Sequence, residues 1–193
     1  AMIDVNGALK FDNELTNYLL ARMQTIGSEP RFHMAAGYRL PHLGWVVPQE
    51  FLDLYPLEEV MVHDVTDSWD DLGPIGRDLL GDNISIWYLG PEARSWLEWV
   101  ELHGNRQVYL QHYLASISYV DYQIGRLLNG LASRPYADES VVTLVSDNGY
   151  HHGENAAMRK GALRDQSTRV PFLIRHPELP AQIRRVRRHG MVA

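Results

Sequence analysis

The run Ser140-Val141-Val142-Thr143-Leu144-Val145 ends abruptly in Ser146-Asp147-Asn148-Gly149. β-Branched, apolar residues bounded by turn residues read as a buried strand. Such a strand presents Asp147 and Asn148 at its C-terminal edge, where open α/β sheets place their ligands. Two adjacent oxygen-bearing side chains suit a hard cation such as calcium or magnesium. On their own, the same residues are also an ordinary turn, because Asn and Gly tolerate positive φ. Two further side chains could handle charge. Lys160 is a flexible point charge suited to an oxyanion, and Gly161 after it would let backbone approach a ligand. A solvated surface lysine is the plain alternative. His42 lies between Pro41 and Leu43. Proline biases its predecessor toward extended backbone, and an imidazole on such a stiff segment is a suitable proton donor.

Four linked blocks carry a resemblance. They are Tyr113-Leu-Ala-Ser-Ile-Ser-Tyr-Val-Asp-Tyr-Gln-Ile-Gly-Arg126, Ser146-Asp-Asn-Gly-Tyr-His-His-Gly-Glu154 with Lys160-Gly161, Ser167-Thr-Arg-Val-Pro171, and upstream Gly37-Tyr-Arg-Leu-Pro-His-Leu-Gly-Trp45. In order and spacing they resemble the sulfatase family of the alkaline-phosphatase superfamily, in the style of iduronate- and choline-sulfatase-like members. The resemblance implies a three-layer α/β/α fold with a mostly parallel sheet. It puts Asp147 and Asn148 on two metal-ligand positions, with calcium ahead of magnesium as the divalent cation. It puts Lys160 on the lysine that contacts the sulfate, and His42 on the histidine that contacts sulfate and leaving-group oxygen. The sequence departs from the pattern at Asn148, where relatives often have His, at Gly44 in place of Pro, and at Asn155 in place of a frequent His.

Family members attack sulfur with formylglycine, made from Cys or Ser in Cys-x-Pro-x-Arg. This sequence has no Cys, and no Ser is followed by x-Pro-x-Arg. The N-terminal pair of metal-ligand aspartates is also missing. The expectation is therefore that residues 1–193 are a single domain and an interior piece of a larger catalytic domain, without turnover alone. Two alternatives stay open: a phosphoester or phosphonate hydrolase of the same superfamily, and a non-catalytic module binding a sulfated glycan or a partner subunit. Sheet edges left open would favour self-association.

The elements that must position these residues follow from periodicity. Asp12 is a candidate cap for a helix to about Ile26, with Leu15, Leu19, Arg22 and Ile26 near helical spacing. Arg31 to Tyr38 reads as a short buried strand containing His33, and Pro48 to Pro56 as a helical turn. Residues 57–105 are the least regular. They hold the acidic stretch Glu58, Glu59, Asp64, Asp67, Asp70 and Asp71, which reads as a solvated loop. Trp69, Trp87, Trp96 and Trp99 suit packing or sugar faces. Pro91 to His103 reads as a helix with Trp96, Val100 and His103 on one face. Arg106 to about Leu131 is the strongest helix, its apolar face traced by Val108, Tyr113, Ile117, Val120, Ile124, Leu127 and Leu131. Thr168 to Arg175 reads as another buried strand, with Arg169 pinning the loop before it. Arg184, Arg185, Arg187 and Arg188 form a basic tail that a solvated edge explains.

Composition sets the outer bounds. The 193 residues are 45% hydrophobic and 22% charged, ordinary values for a globular domain. A net charge of −6 gives no general case for nucleic-acid binding. Without Cys there are no disulfides and no thiolate metal sites. No apolar run approaches the roughly 20 residues needed to span a bilayer.

Overall fold

The computed structural model describes residues 8–26, 31–62, 73–75, 96–104, 106–154, 157–160 and 163–179. In chain order the helices are α1 (Ala8–Thr25), α2 (Gln49–Leu52), α3 (Trp96–Leu102), α4 (Arg106–Ala132) and α5 (Asp165–Thr168). The strands are β1 (Val142–Val145), β2 (His151–His152), β3 (Met158–Arg159) and β4 (Phe172–Arg175).

Helix α4 is the beam of the structure, and α1, α2 and α3 all pack on it. The expected helix is there, and part of the expected face turns inward: Leu131 is buried, and Tyr113 and Val120 pack against the core. His112, Ala115, Ser116, Tyr119, Gln123 and Leu131 are buried, whereas Val108 and Ile117 are exposed. Small and polar side chains let neighbours approach this face closely. Gly130 is one such place, with Leu20 packed where a Cβ would stand. Arg126 fastens the pair, donating to Asn13 on α1 and to Gln123 on its own helix.

Helix α1 turns part of the expected stripe inward: Leu19 and Ile26 are buried, joined by Asp12, Thr16 and Met23, while Arg22 faces solvent. Asp12 is no cap, since it lies inside the helix and is wholly buried. The segment 31–38 is not a strand, and His33 is exposed. The next two backbone N–H groups, of Arg39 and Leu40, are taken by the Asp12 carboxylate instead of a ladder. Leu40, Trp45, Val47 and Phe51 then enter the core against Ala115 and Tyr119.

Among the described residues both strand pairs are antiparallel. Val142 stands opposite Arg175 and Val145 opposite Phe172. His151 and His152 pair with Arg159 and Met158. The resemblance implied a mostly parallel sheet. Between β1 and β4, however, the described chain makes only a hairpin and the single turn of α5, and it returns antiparallel. A crossover to a parallel neighbour takes about a dozen residues or more, usually as a helix. β1 and β4 are largely exposed rather than buried, with Leu144, Val145, Phe172, Leu173 and Ile174 open. Among the described residues no layer packs over these two strands. Asp64, Asp67, Trp69, Asp70, Asp71, Trp87, Asn155, Gly161 and the basic tail lie outside the described residues. No described helix is long and apolar enough to cross a membrane.

Candidate active site

The turn after β1 is built by its own side chains. Ser146 Oγ donates to the Asn148 carbonyl at 2.9 Å, and Asn148 Nδ2 donates to the Gly149 carbonyl at 2.7 Å. With Nδ2 engaged, Asn148 Oδ1 faces outward and accepts from Lys160 Nζ at 3.0 Å. Asp147, beside it, is exposed. Gly149 N–H donates to the Ser167 carbonyl at 2.7 Å, tying the turn to α5. A Cβ on Gly149 would stand 2.0 Å from the Gln166 carbonyl oxygen, so only glycine permits this approach. This tie fastens the loop. Arg169, expected to pin it, forms an exposed ion pair with Asp165 on its own turn.

Lys160 reaches Asn148 because the chain folds back. Gly153 N–H donates to the Ala157 carbonyl and Ala157 N–H to that of Glu154, closing the β2–β3 hairpin. Glu154 accepts the His152 N–H at 2.7 Å. Just before Lys160, Arg159 has φ 70°. That left-handed conformation costs roughly 1–2 kcal/mol for a residue with a Cβ. The Arg159 guanidinium lies 4.9 Å from the Trp96 ring centre, a cation–π contact that helps hold it.

His42 sits on an exposed loop with its Nδ1 3.2 Å from the Leu43 carbonyl. Its backbone N–H donates to the Arg39 carbonyl at 2.9 Å. The peptide bond between Leu40 and Pro41 is cis. Trp45 anchors the loop, its Nε1 donating to the Pro41 carbonyl at 2.7 Å. The Trp45 ring meets Tyr109, Tyr113 and Tyr150 edge-on, at 4.5, 5.5 and 6.0 Å between centres. Tyr150 follows the Asn148-Gly149 turn directly, so one aromatic cluster supports both the His42 loop and the β1 edge. The structure joins Asn148 and Lys160. Among the described residues, no hydrogen bond or ion pair joins His42 to either of them or to Asp147.

The aromatic cluster is uncharged at neutral pH. Burial raises Tyr109 and Tyr113, and it pushes Tyr150 up to about 12. The Tyr109 and Tyr150 hydroxyls hydrogen-bond at 2.7 Å. Burial lowers His151, and it lowers His152 to about 4. The His152 ring lies 4.2 Å from that of Tyr113, with both nitrogens sealed from solvent. The cluster is thus a neutral aromatic floor that Tyr150 links to the turn after β1.

Sequence reasoning missed Asp12, Thr16 and the Tyr109–Tyr150 pair. A signal for the first two was present. Asp12 and Thr16 continue the 3- and 4-residue spacing of Leu19, Met23 and Ile26 toward the N-terminus of α1. Two short polar residues on an inward stripe mark a buried polar contact. The tyrosine pair has no such signal, because it joins residues 41 positions apart.

The family profile described as "Sulfatase" matches residues 6–192. A "Sulfatase" of Formosa agariphila is 34% identical over 170 residues, covering 88% of this chain and 32% of its own length. Iduronate 2-sulfatase of Homo sapiens is 32% identical over 184 residues, covering 90% of this chain and 31% of its own. The chain thus spans about a third of the length of these relatives. A solved structure described as a complex with its substrate D-glucosamine-2-N,6-O-disulfate superposes with a TM-score of 0.67 at 19% identity. That superposition covers 86% of this chain and 43% of the other. It establishes a shared α/β fold.

Proposed function

Because the chain belongs to the sulfatase family, we propose that it supplies part of the active site of a sulfuric ester hydrolase. The observation that carries this reading is the Lys160 ammonium at 3.0 Å from Asn148 Oδ1, at the end of β1. The lysine nitrogen and the amide oxygen meet there, with Asp147 next to Asn148 in the chain.

In this reading Asp147 and Asn148 are ligands of a divalent cation, calcium ahead of magnesium. The donor chemistry fits, since carboxylate and amide oxygens are calcium ligands. Asn148 Oδ1 is already turned toward positive charge. Among the described residues no cluster of three carboxylates or imidazoles includes them, so the pair would be part of a larger donor set. When bound, the cation would polarise sulfate oxygens and stabilise their developing charge. Lys160 would neutralise charge on the sulfate. His42, as imidazolium, gives its proton to the ester oxygen as the sulfur–oxygen bond breaks, so the alcohol leaves neutral.

The sequence holds no Cys and no Ser-x-Pro-x-Arg. The nucleophile is then outside these residues, and the activity is that of a longer enzyme. In that enzyme the β1–β4 ribbon would join the mostly parallel sheet of a three-layer α/β/α domain. We assign a sulfated sugar as the substrate class. Support comes from the sulfated glucosamine bound by the structural neighbour and from the iduronate 2-sulfatase relative.

The test is sulfate release from a sulfated sugar by the complete enzyme, before and after chelation. Lys160→Ala is expected to lower kcat about 100-fold or more, the scale for losing one charge-stabilising group. Chelation should abolish turnover, and calcium should restore it better than magnesium. The 193-residue chain alone should show none. Turnover that survives chelation, or phosphate esters cleaved faster than sulfate esters, would refute the reading.

A further inference from the structure

We infer that Asp12 is a positioning residue for His42. The inference rests on the reading of His42 as the donor to the leaving oxygen. Asp12 is wholly buried in the interior of α1. A carboxylate in that setting is costly unless hydrogen-bonded. Its two oxygens take the backbone N–H groups of consecutive residues, Arg39 at 2.8 Å and Leu40 at 3.1 Å. The same Arg39 then offers its carbonyl to the His42 N–H at 2.9 Å. One residue thus relays position from the carboxylate to the backbone of His42. A second tie runs alongside, Thr16 Oγ1 to Tyr38 Oη at 3.0 Å, while Thr16 also donates to the Asp12 carbonyl.

The relay matters because no strand ladder holds this side of the loop. Residues 31–39 form no regular structure, so no ladder fixes Arg39 or Leu40. The His42 side chain is exposed and, among the described residues, hydrogen-bonds only its neighbour Leu43. Its direction comes from the backbone beneath it. Trp45 fixes that backbone on the far side, through the Pro41 carbonyl, and Asp12 fixes it on the near side. Asparagine in place of Asp12 would keep the shape and turn one N–H donor toward another.

The experiment compares two substrates in the complete enzyme: 4-nitrophenyl sulfate, whose leaving group needs no proton, and a sugar sulfate, whose leaving group does. His42→Ala should slow the sugar sulfate selectively. Asp12→Asn should shift the kcat ratio of the two substrates in the same direction, by about 10-fold, since small misplacements of a catalytic group cost that much or more. Partial unfolding removes both activities equally and leaves the ratio unmoved. In a His42→Ala background, Asp12→Asn should change the ratio no further. An unshifted ratio in Asp12→Asn beside a shifted one in His42→Ala overturns the inference alone. An unshifted ratio in His42→Ala overturns the reading of His42 and the inference with it. If Asp12→Asn does not fold, Tyr38→Phe removes the parallel tie, and the same ratio should move about 2- to 3-fold; no movement overturns the inference.

Discussion

The His42 region and the Asp147 region are held in place differently. Around His42, the loop is gripped from below by buried groups of this chain: the Asp12 carboxylate, the Trp45 indole and the tyrosines of α4. Around Asp147, the turn ends a two-stranded ribbon whose apolar side chains lie open. Its fixed points are the Gly149–Ser167 backbone bond, the Lys160–Asn148 contact and Tyr150 in the shared aromatic cluster. A loop with no regular structure is therefore better anchored within this chain than the end of a strand. Regular hydrogen bonding fixes register, whereas burial fixes position.

Breaking the anchored side should cost most. Trp45→Ala removes a buried ring with three edge-on aromatic partners and the bond to Pro41. A loss of about 4 kcal/mol is expected, read as a lower urea midpoint. Little change would mean that the His42 loop does not depend on the core.

Next comes Gly149→Ala, which drives a Cβ into the Gln166 carbonyl, a backbone group that cannot rotate away. The expected loss is about 3 kcal/mol. The Asn148 amide resonances should shift with it, because the turn must open. Gly130→Ala is the control, since its Cβ meets the flexible side chains of Leu20 and Met23 rather than backbone.

The aromatic floor that joins the two regions predicts a pH dependence. His152 falls from an ordinary 6.5 to about 4, through burial. The unfolded chain therefore takes up that proton first. Stability fully present above about pH 6.5 should decline as pH falls toward 4. His151 and His112 shift in the same direction, also through burial. His152→Phe should flatten the profile in that window without abolishing the slope. A mutant profile superimposing on the original would remove His152 from the account.

The smallest effect is expected on the ribbon. Leu173 is 56% exposed, so Leu173→Ser should change stability by no more than about 0.5 kcal/mol. A loss of 2 kcal/mol or more that grows with protein concentration would mean that the ribbon is covered by a second copy in solution.

The sequence by itself determined the long helix, the strand before Asp147-Asn148, and the linked motifs that mark the family. These are local signals, carried by spacing along one segment. It placed the inward-facing stripes only in part, through Leu19, Ile26 and Leu131. The buried stripe of α4 runs through His112, Ser116 and Gln123, and that of α1 through Asp12 and Thr16. Polarity alone argues against burying such residues. Only partners distant in sequence, such as Arg39 and Leu40 for Asp12, make it favourable, because a buried polar group is tolerated when its hydrogen bonds are met. Likewise, the sequence named Asn148 and Lys160 separately. That the lysine faces the amide oxygen was decided by the hairpin of β2 and β3, whose register brings residues twelve apart to 3.0 Å.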